Sequence, residues 1–360
     1  MKILFATAHP FIPQMLGGLQ SSSKQMALQL KQRGHEVSFL CALMGEGYIG
    51  MRGRVIMKLM RRKAARDMID GIPIWRAWFP WESADYVLEQ TKPDLVIVLA
   101  RQPVRMAQAV QRAGVPVLMM LQDVEFDDHG GPFEELGNVP CIANSYFTAH
   151  RYHNAFGVSP YVVYPFVSPD HYKTQTSRQN VTFINPHPKK GVDIAINIAR
   201  CCPDIPFTFV EAWPLEPGYK AQLMQQLSAV PNVTLSPSVR DMRQVYSKSK
   251  ILLAPSRWEE AYGRVASEAQ CSGIPVVASN RGGLPEAVGQ GGIVLDPDGP
   301  IEQWVEGIRR LWHDEKHYAY LSMAAHCHFN RPEMRTEVRM EQLEQILAEA
   351  ATPTPTAVAA

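Results

Sequence analysis

Short apolar runs and helical periodicities alternate along almost the whole of this chain. Runs at 2–7, 36–41, 94–100, 116–121 and 139–144, and again at 181–185, 206–211, 232–236, 251–255 and 275–279, have the length and residue types of strands. After Asp94, the run Leu95-Val96-Ile97-Val98-Leu99-Ala100 is apolar throughout, as in a parallel strand covered on both faces. Between the runs, 19–33, 102–113, 192–201 and 218–229 read as helices, with Gly34 and Gly114 placed to stop the first two. This alternation predicts an α/β protein with parallel sheets.

The series runs twice. The break falls at the proline-punctuated Tyr161-Val162-Val163-Tyr164-Pro165-Phe166-Val167-Ser168-Pro169. We therefore expect a Rossmann-like domain over 1–165, a second over 166–333, a closing helix over 334–350 and a Thr/Pro/Ala tail over 351–360 that reads as disordered. A length of 360 residues fits two domains. Open α/β sheets take ligands at their strand C-terminal ends, so two facing domains predict a deep cleft.

Composition narrows the function only a little. The chain is 46% hydrophobic and 20% charged with a net charge of +1, which makes no case for nucleic acid as a partner. Six scattered cysteines without a Cys-x-x-Cys pair read as reduced thiols of a cytoplasmic protein. Met1-Lys2 leads straight into a strand, without the charged and apolar regions of a signal peptide, and no apolar run approaches the roughly 20 residues of a membrane span.

The chemistry concentrates in Pro255-Ser256-Arg257-Trp258-Glu259-Glu260-Ala261-Tyr262-Gly263-Arg264-Val265-Ala266-Ser267-Glu268-Ala269. A buried strand precedes it and Gly273 with Pro275 closes the helix it opens. The helix start at Gly263, Arg264 and Val265 offers amides that suit a phosphate. Glu260 lies before that point and Glu268 beyond it, and carboxylates accept from sugar hydroxyls. A nucleotide sugar, with hydroxyls on both sides of a diphosphate, fits this layout; two unconnected surface glutamates are the plainer reading.

This stretch resembles the Glu-x7-Glu motif of retaining glycosyltransferases of the GT-B type, most closely family 4, the glycosyl transferases group 1. The likeness continues through Gly273-Ile274-Pro275-Val276-Val277-Ala278-Ser279 and Gly282-Gly283-Leu284-Pro285-Glu286. It implies that Glu260 contacts the transferred sugar and Glu268 the ribose. Pro188-Lys189-Lys190-Gly191 resembles the family's Lys-Gly element, so Lys190 would neutralise the leaving diphosphate, and Gly17-Gly18 resembles its N-terminal glycine loop beside the donor. The base would lie near Val239. Two departures stand out. Asn185 occupies a segment where the family commonly has an arginine, so either Arg264, Arg257 or Arg281 is the replacement cation or leaving-group stabilisation is weaker. Gln122 or Asp123 stands where the family often has a histidine.

Asp123-Val124-Glu125-Phe126-Asp127-Asp128-His129 crowds four carboxylates and a histidine together. An acidic rim loop is favoured over a metal site there, because no second ligand cluster accompanies it. Residues 51–66 hold seven Lys/Arg and no acidic residue. As a helix they would set Ile56, Leu59, Met60 and Lys63 on one face and Arg54, Lys58, Arg61 and Arg62 on another, to dock on an anionic membrane or grip a phosphate-bearing acceptor; a solvated helix over the core of the first domain, or a mobile loop, is the plainer reading. Trp75, Trp78, Phe79 and Trp81 suit either core or sugar stacking.

The expected protein is thus a cytoplasmic, metal-independent retaining glycosyltransferase, with Glu260, Lys190 and Asp123 in catalytic roles. Gly17, Gly18, Asn185, Lys190, Val239, Glu260, Gly263, Arg264, Val265 and Glu268 would hold the nucleotide-sugar donor. Gln122, Asp123 and Arg101 would hold a glycan, lipid-linked or small-molecule acceptor, with peripheral contact at the inner membrane face through 52–66. The alternatives are a sugar-nucleotide epimerase on the same scaffold and a nucleotide-sugar-binding relative with little turnover.

Overall fold

The computed structural model describes residues 1–213 and 215–352, so most of the predicted 351–360 tail lies outside the described residues. The chain forms two units, one of Met1–Tyr164 with the segment from Glu337 onward, the other of Pro165–Thr336.

Unit 1 holds the strands β1 (Lys2–Pro10), β2 (Glu36–Ala42), β3 (Ala65–Ile69), β4 (Ile72–Ala77), β5 (Leu95–Leu99), β6 (Val117–Leu121), β7 (Cys141–Ala143) and β8 (Tyr161–Val162). They form one sheet in the order β3-β4-β2-β1-β5-β6-β7-β8. Every pairing is parallel except β3 with β4. Strands β5 and β6 are buried at every position, as apolar runs covered on both faces must be. Leu4, Val96, Val98 and Met119 from the sheet pack with Val104, Met106, Ala107 and Val110 of the Pro103–Arg112 helix in one core.

Two expectations need correction here. Residues 51–66 are not one helix: the helix runs Gly47–Leu59 and β3 begins at Ala65. The reason is the hairpin that follows. Asp70 and Gly71 both take positive φ and turn β3 back on β4, the conformation an Asp-Gly turn favours. Nor do Leu59 and Met60 form a core-facing side, since both are exposed.

Unit 2 holds β9 (Asn180–Ile184), β10 (Phe207–Val210), β11 (Val233–Ser236), β12 (Ser249–Ala254), β13 (Val276–Ser279) and β14 (Gly292–Leu295). Its sheet is entirely parallel, in the order β11-β10-β9-β12-β13-β14. Strands β9 and β12 are central, so the loops leaving them are neighbours. The core joins Phe183, Phe207, Phe209 and Leu253 to the Val192–Cys201 helix and to Trp304, Ile308 and Leu311 of the Ile301–His313 helix.

The closing helix, Thr336–Ala351, buries Met340, Leu343, Ile346 and Leu347. Glu344 accepts from Arg33 at 2.9 Å and meets His35 at 3.1 Å, and Gln342 donates to the Val162 carbonyl at 3.1 Å. All of these partners belong to unit 1. Among the described residues no helix is long and apolar enough to cross a membrane.

Candidate functional site

In unit 2 the loops after β9 and β12 are laced together. The backbone amides of Arg257 and Trp258 both donate to the Lys189 carbonyl at 3.0 Å. Ser256 Oγ lies 3.3 Å from the same carbonyl, and the Ser256 carbonyl accepts from Ser279 Oγ at 2.6 Å. Gly191 sits at φ +76° where the loop after β9 enters the Val192–Cys201 helix, and a Cβ there would lie 1.8 Å from the Pro255 carbonyl oxygen. Only glycine supplies both that φ and that approach. Gly191→Ala is therefore expected to lower the stability of unit 2 by about 2–3 kcal/mol, read as a lower thermal midpoint; an unchanged midpoint would show that the lacing is not fixed.

The lacing brings Lys190 to Glu260. Lys190 Nζ lies 2.5 Å from Glu260 Oε1, both side chains being largely buried. Ser256 Oγ donates to the same oxygen at 3.1 Å. Lys190 Nζ also stands 5.1 Å from the ring centroids of both Trp213 and Trp258, within cation–π range. Burial, and then the charges of Lys189 and Lys190, hold the His187 imidazole below its ordinary pKa. Its Nδ1 is placed to accept from the Lys189 amide at 3.2 Å.

Glu268 lies on the Arg264–Gln270 helix. It accepts from Tyr246 Oη at 3.0 Å through Oε2, and from Arg264 at 3.3 Å through Oε1. Arg264 also donates to the Phe166 carbonyl at 3.1 Å and to Tyr172 Oη at 3.0 Å. Burial, and then the Glu268 carboxylate, push the phenols of Tyr246 and Tyr172 up, so both stay protonated and able to donate.

Each candidate for the replacement cation already has partners in this structure. Arg264 is pinned within unit 2 and spent on Glu268, Tyr172 and Phe166. Arg257 is held by Asp193 at 2.7 Å and Asp298 at 2.9 Å, and Arg281 pairs with Asp298. Asn185 is also turned to structure. It is buried at φ +68°, and its Oδ1 accepts from the Trp213 amide at 3.4 Å. Val239 is half-buried in the loop after β11. Gly263, at φ +96°, is the N-cap of the Arg264–Gln270 helix, and the first-turn amides of Arg264 and Val265 have no carbonyl of that helix to bond. The closeness of Gly283, whose amide donates to the Glu260 carbonyl at 2.6 Å, holds the glutamate's backbone.

In unit 1 the candidates again gather at strand C-terminal ends. Gly17 caps the Gly18–Gln32 helix just after β1. Buried Arg76 holds the intervening loop by donating to the carbonyls of Phe11 and Ile12 at 3.1 and 2.6 Å. Gln122 and Asp123 follow β6, and Phe126–Asp128 is a 3-10 turn. Arg101 Nε lies 3.5 Å from Asp128, whose carbonyl accepts from the Gln102 amide at 2.7 Å. Burial, then the carboxylates of Glu125 and Asp128, push the Asp123 carboxyl up to about 6. Sequence reading missed His9, at the end of β1. Burial and the Arg101 guanidinium hold its imidazole below the ordinary value, while Asp128 and Glu125 oppose them. The buried Nδ1 of His9, Oε1 of Gln122 and Oδ1 of Asn144 have no hydrogen-bond partner among the described residues; each closes a strand, which was the signal available. His129 is buried against Tyr152, at 3.0 Å, with Phe126, Phe133 and Phe156 around it, so it serves the core. Among the described residues, no three His, Cys, Asp or Glu side chains converge as a metal site would require.

Asp123 gives a signed pH prediction. Its folded value lies above the unfolded one, so the folded state holds its proton longer and stability falls as pH rises through about 6. Asp123→Asn is expected to raise stability by about 2 kcal/mol at pH 8 and to change it little at pH 4. Equal effects at both pH values, in thermal melts, would reject the assignment.

Residues 184–326 match the family model of the glycosyl transferases group 1. The D-inositol 3-phosphate glycosyltransferase of Corynebacterium diphtheriae is 34% identical over 113 residues, 31% of this chain and 26% of that protein. The sulfoquinovosyl transferase SQD2 of Arabidopsis thaliana is 28% identical over 163 residues, 43% of this chain and 31% of that protein. The chain thus spans between about a quarter and a third of the length of these two relatives. Among solved structures, Anabaena Alr3699/HepE in complex with UDP-glucose aligns with a TM-score of 0.76 at 21% identity, covering 97% of this chain and 100% of that one. WaaG, a glycosyltransferase involved in lipopolysaccharide biosynthesis, aligns at 0.70 with 16% identity, covering 96% and 99%. The chain has the GT-B fold, and its match to the glycosyl transferases group 1 lies within the second unit.

Proposed function

We propose that the chain is a retaining glycosyltransferase of the hexosyltransferase type, using a nucleotide-diphosphate sugar and needing no metal. The observation that carries this reading is the meeting of Lys190 and Glu260 across two laced loops, with Glu268 held on the helix that follows. In this reading the ion pair is exchanged when donor arrives: the diphosphate takes Lys190 and the sugar hydroxyls take Glu260. The first-turn amides at Gly263, Arg264 and Val265 face the phosphates, Glu268 offers its remaining lone pairs to the ribose, and the base lies by Val239. In unit 1, Gly17 and Gly18 serve the donor, and Gln122, Asp123 and Arg101 the acceptor, a glycan, lipid-linked saccharide or small molecule. The reading includes peripheral contact with a membrane face through residues 52–66.

Transfer breaks the bond between the anomeric carbon and the phosphate oxygen and forms one to the acceptor oxygen on the same face. The acceptor's proton passes to the departing diphosphate, whose charge Lys190 stabilises. The UDP-glucose held by Alr3699/HepE supports a nucleotide sugar as donor. The engagement of Arg264, Arg257 and Arg281 elsewhere favours one alternative, a binding protein with little turnover. Calorimetry with UDP, GDP, ADP and dTDP and their sugars, followed by assay of donor hydrolysis, separates the two. Binding with turnover supports the transferase, binding alone the relative, and no binding by any of them rejects both.

A further inference from the structure

The helix Gly47–Leu59 rests on unit 1 by its smallest residues. Gly50 and Gly53 are buried, and a Cβ on them would stand 2.4 Å from the Met44 carbonyl oxygen and 2.9 Å from Leu43 Cδ2. Its large apolar residues point the other way. Tyr48, Met51, Val55 and Leu59, spaced as one helical stripe, are 78%, 58%, 54% and 77% exposed. Met60 extends the stripe. Trp78 and Phe79 are exposed as well, and the Trp78 ring would come within 3.3 Å of a Cβ on Gly45, so aromatic rings flank the start of the helix. Arg52, Arg54 and Lys58 border the stripe and Arg61, Arg62 and Lys63 follow it. No carboxylate lies between Gly47 and Arg66, and none of these six cations is in an ion pair among the described residues.

We propose that this face is a docking surface for an anionic lipid bilayer. The helix lies in the plane of the interface. Tyr48, Met51, Val55 and Leu59 enter the acyl boundary, the cations meet lipid phosphates, and Trp78 and Phe79 sit at headgroup depth. This deepens the peripheral contact included in the reading above, but it moves the contact from a basic segment to an outward apolar helix face, and it holds whether or not sugar is transferred. Charge decides against the other occupants. A second copy would set six cations against six. A nucleic acid would match the charge but press phosphates on the apolar stripe.

The test is flotation of the full chain with vesicles of phosphatidylcholine alone and of phosphatidylcholine mixed with phosphatidylglycerol. Wild type is expected to float with the mixed vesicles, less so as salt rises. Arg54→Glu with Lys58→Glu, and separately Val55→Gln with Leu59→Gln, are expected each to weaken binding roughly tenfold or more. Because these side chains are exposed, thermal midpoint and nucleotide binding, measured on the same samples, are expected to stay unchanged. That keeps failure here distinct from failure of the donor site. The proposal is overturned if wild type ignores the mixed vesicles, if the Val55 and Leu59 change leaves binding intact, or if the face instead binds oligonucleotide or a second copy.

Discussion

Lys190→Ala is expected to slow sugar transfer or donor hydrolysis by roughly 100- to 1,000-fold, while donor affinity falls far less. The asymmetry follows from where charge develops. In the bound donor the diphosphate negative charge is shared with the sugar; as the bond breaks, it concentrates on the departing oxygen, and an ammonium beside it gains in strength. Arg264, Arg257 and Arg281 are all engaged with carboxylates of unit 2, and the neighbouring Lys189 ammonium lies over the Trp258 ring at 4.2 Å rather than on Glu260. Loss of Lys190 does not strand Glu260, which keeps the Ser256 hydroxyl at 3.1 Å. The variant should therefore fold. Single-turnover rates and calorimetric affinities on the same protein decide the matter. A fall in affinity as large as the fall in rate would make Lys190 a binding residue only.

Glu268→Ala is expected to cost about 3–5 kcal/mol of unit 2 stability in addition to weakening nucleotide binding. The Glu268 and Arg264 side chains are 10% and 9% exposed, so removing the carboxylate leaves a nearly buried guanidinium uncompensated. Tyr246 loses its acceptor in the same step. This makes alanine a poor probe of the ribose role and glutamine the better one. Glu268→Gln keeps the shape and one acceptor for Tyr246 or Arg264, so a loss of nucleotide affinity exceeding its change in melting temperature reports on the ligand. If Glu268→Ala melts with wild type, the Arg264 pairing contributes little and the carboxylate is free for the ligand.

Much of this was readable because parallel sheets announce themselves. Strands β5, β6 and β12 are apolar at nearly every position, being covered on both faces, and their boundaries lie within a residue or two of the runs in the sequence. The β3–β4 pair was harder: Arg66 and Asp67 sit on the edge strand β3, Arg76 is a buried cation on β4, and only Asp70-Gly71 marks the turn. In the site, Lys190 and Glu260 were legible as motif residues. What was not legible was how they meet. The lacing runs from the backbone amides of Arg257 and Trp258 to the Lys189 carbonyl, and backbone amides leave no mark on sequence. Arg264 illustrates the same limit. Its availability depends on Phe166 and Tyr172, 98 and 92 positions away. The Gly47–Leu59 helix misleads for a different reason. Apolar periodicity assumes that large residues face inward, whereas Gly50 and Gly53 let the helix backbone approach the loop over 43–45 that leaves β2.

The closing helix adds an order to the making of this protein. Unit 2 is continuous in sequence, so it can finish folding as soon as residue 336 clears the ribosome. Unit 1 begins first but is completed after unit 2, because Met340, Leu343, Ile346 and Leu347 and the Glu344 partner of Arg33 and His35 follow unit 2 in the chain. While unit 2 is being made, the sheet of unit 1 waits for that helix, and the half of the protein begun first is the half completed second.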